Sequence, residues 1–297
     1  MLNPVVANTF QDYVNIVFAP YISAQLEKVH RLDLVWDVYL PDSLKGTTRQ
    51  KRGKGLRKRV APSTVMPKNW NNFLRVDQNK TELSGFLSRE SALASLAPCS
   101  HEEADTRMLL HVADAVQKRM RKVAIRNVDN DVVVLAVASF NNINPDKLWI
   151  ALGTGSSFRY IAVHQLVSTM NPRKYATLPI FHALTGCDTV SSFTGRGKKT
   201  AWEIWKVFPE VTDAFEELLR MPSDVSEESM SLLERFVVLM YDRTSNIMEV
   251  NEARKQLFAH KSRALDNIPP NTGSTPAAHQ ASISPGQLLQ QSSGSKS

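Results

Sequence analysis

The sequence predicts an α/β fold with a largely parallel sheet, followed by an all-helical portion. Short runs rich in β-branched residues alternate with stretches of helical spacing through the first half of the chain. Beyond residue 165 only helical spacing recurs. The 297 residues are 42% hydrophobic, enough for one large domain or two small ones with a sizeable core.

The elements follow in order. Residues 9–29 read as a helix, because Phe10, Tyr13, Val14, Val17, Phe18, Tyr21 and Ile22 recur three and four apart; Pro20 is expected to kink or break it. Leu32 to Tyr39 is a β-branched and aromatic run, hence a strand, and 79–96 returns to helical spacing. Ser100-His-Glu-Glu103 is a capping box opening a helix whose stripe is Met108, Leu109, Val112, Ala113 and Val116. Val123 to Ile125 reads as a strand, and Val132 to Val137 as either a strand or a buried helix. Leu148 to Leu152 and Tyr160 to Val163 flank Gly153-Thr-Gly-Ser-Ser and predict a hairpin. Helices are expected over 165–170, 178–186, 198–208, 211–220 and 226–260. From Ile268 onward there is no aromatic and one Lys or Arg, Lys296, so a disordered tail is expected. The expected domains are an α/β core over 1–175, a helical region over 176–265 and the tail over 266–297.

Composition excludes several classes. It is ordinary globular, neither collagen-like, wholly disordered nor a disulfide scaffold. The longest apolar run, Val132 to Phe140, is about nine residues, far short of a membrane span. No signal peptide is evident, and two cysteines, Cys99 and Cys187, fit a reducing compartment without a metal cluster.

Charge is more informative. The net charge is +7, yet residues 43–76 hold ten bases and no acid, which leaves the other 263 residues at −3. Lys45, Arg49, Lys51, Arg52, Lys54, Arg57, Lys58 and Arg59 form the dense part. Such a segment reads as a polyanion-binding arm, ordered by its ligand, or as a nuclear-localisation tract or solvated loop. The expected location is the nucleus, otherwise the cytoplasm.

The acids fall at informative places. Asp37 ends the first expected strand, and Glu103 and Asp105 open a helix. Asp129 and Asp131 precede an apolar run, and Asp188 follows one. In open α/β sheets ligands sit outside the carboxyl ends of strands. Carboxylates gathered there need cations to ionise together, and Mg²⁺ or Mn²⁺ is the usual answer. Two such ions would suit phosphodiester hydrolysis. Each acid also has a plain reading: capping box for Glu103, helix-dipole partner for Asp105, turn residues for Asp129 and Asp131, N-cap for Asp188. Asp37 is odd within Val35-Trp-Asp-Val-Tyr39, unless it faces solvent. His101 reads as polar surface rather than a general base. Phe193-Thr-Gly-Arg-Gly-Lys-Lys-Thr-Ala-Trp202 places Gly195 and Gly197 before a helix that opens on Lys198 and Lys199, a phosphate cradle without Walker spacing.

In this order the pieces resemble the flap endonuclease family, structure-specific nucleases with a PIN-like α/β core. The resemblance runs from about Arg31 to Trp205, around 60% of the chain. Val35-Trp-Asp37 with Pro41, Lys45 and the basic stretch resembles the strand-end Asp before the family's DNA-threading arch. Ala97-Pro-Cys-Ser-His-Glu-Glu-Ala-Asp105 resembles its Glu-Ala-Glu ligands, with Asp at the last position. Asp129-Asn-Asp131 is similar to its Asp-x-Asp pair. Leu184-Thr-Gly-Cys-Asp188 with Gly195-Arg-Gly-Lys-Lys199 resembles its last ligand and its helix-two-turn-helix. The His101-Glu-Glu-Ala-Asp-Thr-Arg107 and His182-Ala-Leu-Thr-Gly-Cys-Asp-Thr189 segments resemble a divergent, transposon-derived animal branch.

The resemblance implies two divalent ions, Mg or Mn, held by Asp37, Glu103, Asp105, Asp129, Asp131 and Asp188. Glu103, Asp129 and Asp131 would be the catalytic acids. Lys45, Arg49, Lys51 and Arg52 would hold or thread the strand. Gly195, Gly197, Lys198 and Lys199 would grip duplex phosphates beside a monovalent cation. The partner is nucleic acid, DNA before RNA, and no membrane. The family's first strand and its terminal Asp have no counterpart, since the sequence opens at Met1-Leu-Asn-Pro; Asp12 lies within the first helix and is no substitute. The expected function is therefore metal-dependent phosphodiester hydrolysis. The alternative is a catalytically incomplete nucleic-acid-binding or scaffolding protein of the same fold.

Overall fold

Phe10, Tyr13, Val14, Phe18 and Ile22 are buried along the first helix, and their spacing dictates an uncommon geometry. In the computed structural model, which describes residues 2–4, 6–37, 55–90, 104–186, 193, 195–222, 224–259 and 269, this helix (α1) has three stretches. They are Phe10–Asp12, a π-helical stretch Tyr13–Phe18, and Ala19–Leu26. Thr9 and Asp12 form a capping box at its start: the Asp12 N–H donates to Thr9 Oγ1 at 3.1 Å and the Thr9 N–H to Asp12 Oδ2 at 2.9 Å. Pro20, without an N–H, does not break the helix as expected; the wide π turn precedes it, with the Ala19 N–H reaching back to Val14 O.

The chain divides into two compact units, Met1–His111 and Val112–Ser297. In the first, α1 packs with α2 (Trp70–Leu74) and α3 (Asp77–Glu90). The core is aromatic: Trp70 stacks on Phe73 at 5.1 Å, and Phe10 and Tyr13 lie 5.6 Å from Phe73 and 5.4 Å from Trp70. Residues 55–60, the end of the basic segment, are strapped onto this core. Gly55 lies so close that a Cβ there would meet Asn72 O at 2.5 Å. The fully buried Asn79 amide then bonds Leu56, Lys58, Arg57 and Phe73.

Helix α4 (Ala104–Gln117) crosses the division. The second unit opens with a β-α-β unit: β1 (Lys122–Asn127), α5 (Asp131–Ile143) and β2 (Lys147–Leu152), the strands paired in parallel. The apolar run from Val132 thus resolves as helix. Its thirteen-residue span exceeds an ordinary strand, and Asn144 closes it in the left-handed conformation at φ 53°. A 3-10 turn, Gly155–Ser157, leads to β3 (Arg159–Ala162), which pairs antiparallel with β2 as the expected hairpin. The fold is therefore α/β with a small mixed sheet in the order β1-β2-β3, rather than a largely parallel one. Ile125, Leu148, Ile150 and Leu152 are buried on one face of the sheet, and α5 packs on the two helices that follow.

Those helices are α6 (Val163–Thr169) and α7 (Pro172–Leu184). Helix α7 begins earlier than expected, because Asn171 caps it through the Arg173 N–H and Pro172 occupies the first turn. Then come α8 (Lys198–Val207), α9 (Val211–Arg220), α10 (Glu227–Tyr241) and α11 (Val250–Ala259). The single helix expected over 226–260 is thus two. Asp242 leaves the helix and its carboxylate takes the Thr244 N–H at 3.0 Å, while Glu234 takes the Val250 N–H at 2.8 Å to start α11. Around Trp205, which stacks on Phe181 at 4.8 Å, these helices bury one continuous core. No helix among the described residues is long and apolar enough to cross a membrane.

The strand expected over Leu32 to Tyr39 is not observed where the structure describes it. Residues 31–37 carry no regular secondary structure. Their acids are instead drawn into side-chain bonds, with Asp33 accepting from Arg31 at 3.0 Å. The capping box at Ser100, both cysteines, His101, Glu103, Asp188, the bases Lys45 to Lys54 and the tail apart from residue 269 lie outside the described residues.

Candidate functional site

The carboxyl end of β1 is built by its own side chains. Asn127 Oδ1 accepts the N–H groups of Val128 at 2.6 Å and Asp129 at 3.3 Å, turning the chain off the strand. Asp129 Oδ1 accepts the Asp131 N–H at 3.0 Å and so caps the start of α5, where a negative charge suits the helix dipole. The Gly153 N–H donates to Asn127 O at 3.0 Å, aligning the end of β2 with that of β1. Asp129 and Asp131 therefore stand where the sequence placed them, at the strand ends where α/β sheets bind ligands.

Asp131 has a partner that the sequence reading missed. His182 Nε2 lies 2.7 Å from Asp131 Oδ1, with the histidine side chain 15% exposed and the aspartate 33%. The signal was present in the His182-to-Asp188 segment, but nothing in the sequence couples it to residue 131, 51 positions away.

His182 also leads to the Gly195–Lys199 turn. Gly195 sits at φ 69°, a conformation that favours glycine, and Gly197 precedes α8 in an extended conformation with no side-chain cap. The Lys198 ammonium does not point outward as a phosphate grip would. It donates to His182 O at 2.9 Å, to Thr185 Oγ1 at 3.3 Å and to Gly186 O. These acceptors are the negative end of α7, so Lys198 serves as its capping cation. Lys199, beside it, is exposed. The start of α5, the end of α7 and the start of α8 thus meet through His182.

The first unit holds a second acidic pair. Asp37 Oδ1 accepts the Ala104 N–H at 3.2 Å, across 67 residues, placing it at the helix turn that carries Asp105. His111, buried on the same helix, contacts Asp33 Oδ2 through Nδ1 at 3.1 Å. Neither Asp33 nor His111 was singled out in the sequence.

The described end of the basic segment is absorbed into the fold. Arg57 donates to Gln78 Oε1 and to Asn79 Oδ1, each at 3.0 Å, and pairs with Glu82. Burial pushes the Glu82 carboxyl up, but the Val60 N–H, the Arg57 guanidinium and the Arg59 charge outweigh it and hold it below the usual carboxylate range. Arg57 is therefore a structural pin. Lys45, Arg49, Lys51 and Arg52, the expected strand-holding bases, lie outside the described residues.

The four described candidate ligands fall in two pairs, Asp37 with Asp105 and Asp129 with Asp131, one pair in each unit. Both are all-oxygen donor sets, the chemistry that Mg²⁺ and Mn²⁺ take. Among the described residues no three His, Cys, Asp or Glu side chains gather as a metal-holding group. Comparison of the chain with protein-family models, with curated proteins and with solved structures gives no match.

Proposed function

We propose that the chain is a metal-dependent phosphodiesterase of the flap endonuclease kind, with a PIN-like core, acting on DNA or structured nucleic acid. The observation that carries this reading is the Asp129–Asp131 turn at the carboxyl end of a parallel β-α-β unit, tied through His182 to the Gly195–Lys199 turn. Asp129 and Asp131 would hold Mg or Mn at the carboxyl end of β1. When bound, the ions would lower the pKa of a water and neutralise charge at the scissile phosphate.

The chain's own residues do the rest. His182, 2.7 Å from Asp131 Oδ1, would hold that carboxylate in the orientation a metal ion needs, since a ligating carboxylate is fixed by the hydrogen bonds around it. The first-turn N–H groups of α8, with Gly197 as a bare cap and Lys199 exposed beside it, would draw a duplex phosphate. A monovalent cation at this turn is part of the same proposal, as is a nuclear location from the basic segment.

A second reading, nucleic-acid binding without catalysis, is favoured by one observation: Asp129 and Lys198 already serve as helix caps. The deciding experiment is cleavage of a labelled 5′-flap DNA with Mg²⁺ and with Mn²⁺, beside the double substitution Asp129→Asn, Asp131→Asn. Asparagine still caps a helix, so α5 survives the change. Metal-dependent cutting that disappears in the double variant is expected. Cutting that persists unchanged, or no cutting by the parent chain, overturns the hydrolase reading.

A further inference from the structure

The sheet has a second face that the hydrolytic site does not use. Alternation puts Ile125, Leu148 and Ile150 on the buried side, so their neighbours point the other way. Register sets Lys122 opposite Lys147, Ala124 opposite Trp149, and Arg126 opposite Ala151, which in turn faces Tyr160 on β3. Across the face, two lysines stand at one end, Trp149 sits between Ala124 and Ala162 in the middle, and Ala151 lies between Arg126 and Tyr160 at the other end.

The rings are presented rather than buried. Tyr160 is 64% exposed and Phe158 37%, unusual for aromatic side chains that touch each other. Tyr160 meets Phe158 edge-on at 5.2 Å and Trp149 at 6.5 Å, and the Arg126 guanidinium lies 5.8 Å from the Phe158 ring. Ala124 is exposed beside Trp149, which is half-buried against the His164 ring at 5.1 Å, so the open rings are those of Tyr160 and Phe158.

The charge is of one sign. Lys122 and Lys147 are exposed, directly opposite each other, and neither ion-pairs with a described acid. Like charges in register repel, a cost that a polyanion relieves. The acid beside them, Asp146, is already paired with Arg121 at 2.7 Å.

We propose that this face binds single-stranded nucleic acid, with bases stacked on Tyr160 and Phe158 and phosphates against Lys122 and Lys147. Exposed rings interleaved with bases on a sheet are the recognition surface for unstacked strands. An acidic peptide would match the charge but leave the rings without a flat partner. A duplex keeps its bases stacked and out of reach. The site needs neither a metal nor Asp129 and Asp131, so it goes beyond the hydrolytic reading and stands apart from it.

The test is fluorescence anisotropy of a labelled oligothymidylate with the full chain in EDTA. Tyr160→Ala should weaken binding about tenfold or more, since stacking on one ring carries that much, and Tyr160→Phe should restore it. The double substitution Lys122→Gln, Lys147→Gln should reduce the log–log salt slope by about 1.4, at roughly 0.7 per phosphate contact on a single strand. Binding by the parent chain in EDTA, with no divalent ion available, separates this site from the proposed catalysis. Three results overturn the proposal: no binding by the parent chain; binding unchanged in both the Tyr160→Ala and double-lysine variants; or polyglutamate competing as well as the oligonucleotide whether or not Tyr160 is present, which would mark an acidic-protein surface.

Discussion

Asn79→Ala should release the strap at the end of the basic segment. The Asn79 side chain is wholly buried; its Nδ2 donates to Leu56 O at 2.7 Å and Phe73 O at 2.8 Å, and its Oδ1 accepts from the Lys58 N–H at 3.1 Å and Arg57 Nη1 at 3.0 Å. Alanine removes all four bonds, but not all four partners are stranded. Phe73 O still accepts the Val76 N–H at 3.3 Å, and Arg57 still reaches Gln78 and Glu82. The orphans are Leu56 O and the Lys58 N–H. Each unsatisfied backbone group costs about 1–3 kcal/mol, and water at the exposed Leu56 recovers part, so about 2–4 kcal/mol is expected. Hydrogen exchange of the 55–60 peptide should then accelerate roughly 30- to 700-fold, at tenfold for every 1.4 kcal/mol. Asn79→Asp keeps the acceptor and loses the donors, so it should fall between the two. Exchange unchanged in Asn79→Ala would refute the reasoning and leave Gly55 and Glu82 as the anchors.

Gly55→Ala should destabilise the first unit by about 1–3 kcal/mol, because its Cβ would meet Asn72 O at 2.5 Å and Val76 Cγ2 at 2.7 Å; thermal unfolding checks it. Lys198→Met should lower stability towards urea by about 1–3 kcal/mol through loss of its charged hydrogen bonds to the end of α7; unchanged stability with weakened duplex binding would instead assign Lys198 to phosphate. Tyr13, pushed up to about 12 by burial with its hydroxyl donating to Leu2 O at 3.1 Å, titrates later in the folded chain than the ordinary 10. Its contribution is therefore complete below pH 10 and is lost as pH rises towards 12, so stability towards urea should fall less between pH 10 and 12 in Tyr13→Phe than in the parent chain.

Local chemistry explains what could be read in advance. Strand β1 and the hairpin announced themselves through the β-branched residues near Val123 and the glycines at 153 and 155, whereas the helix between β1 and β2 did not, because Val132 to Val137 reads equally as strand or helix. The acids Asp129 and Asp131 were legible for the same reason, since strand ends and turn residues are adjacent in sequence. What escaped was everything fixed at long range. Leu32 to Asp37 has strand-forming residues, yet Asp33 and Asp37 are held by His111 and Ala104, far along the chain. Lys198 looked like a phosphate ligand because the pattern shows its position after Gly197 but not the carbonyls of α7 within its reach. His182 needed the fold to meet Asp131.

The wide turn in α1 has a consequence for chain length. Phe10, Tyr13 and Val14 would be followed, at 3.6 residues per turn, by buried positions 17 and 21; the fully buried positions are Phe18 and Ile22. The helix holds one residue more than its buried face requires. Removing the exposed Asn15 would bring Phe18 and Ile22 into α-helical phase with Phe10, but it would also set the Pro20 ring against the carbonyl four residues back in a tightened turn. The surplus residue is what lets a proline sit inside a continuous helix, so shortening this segment by one should be tolerated only when Pro20 is replaced as well.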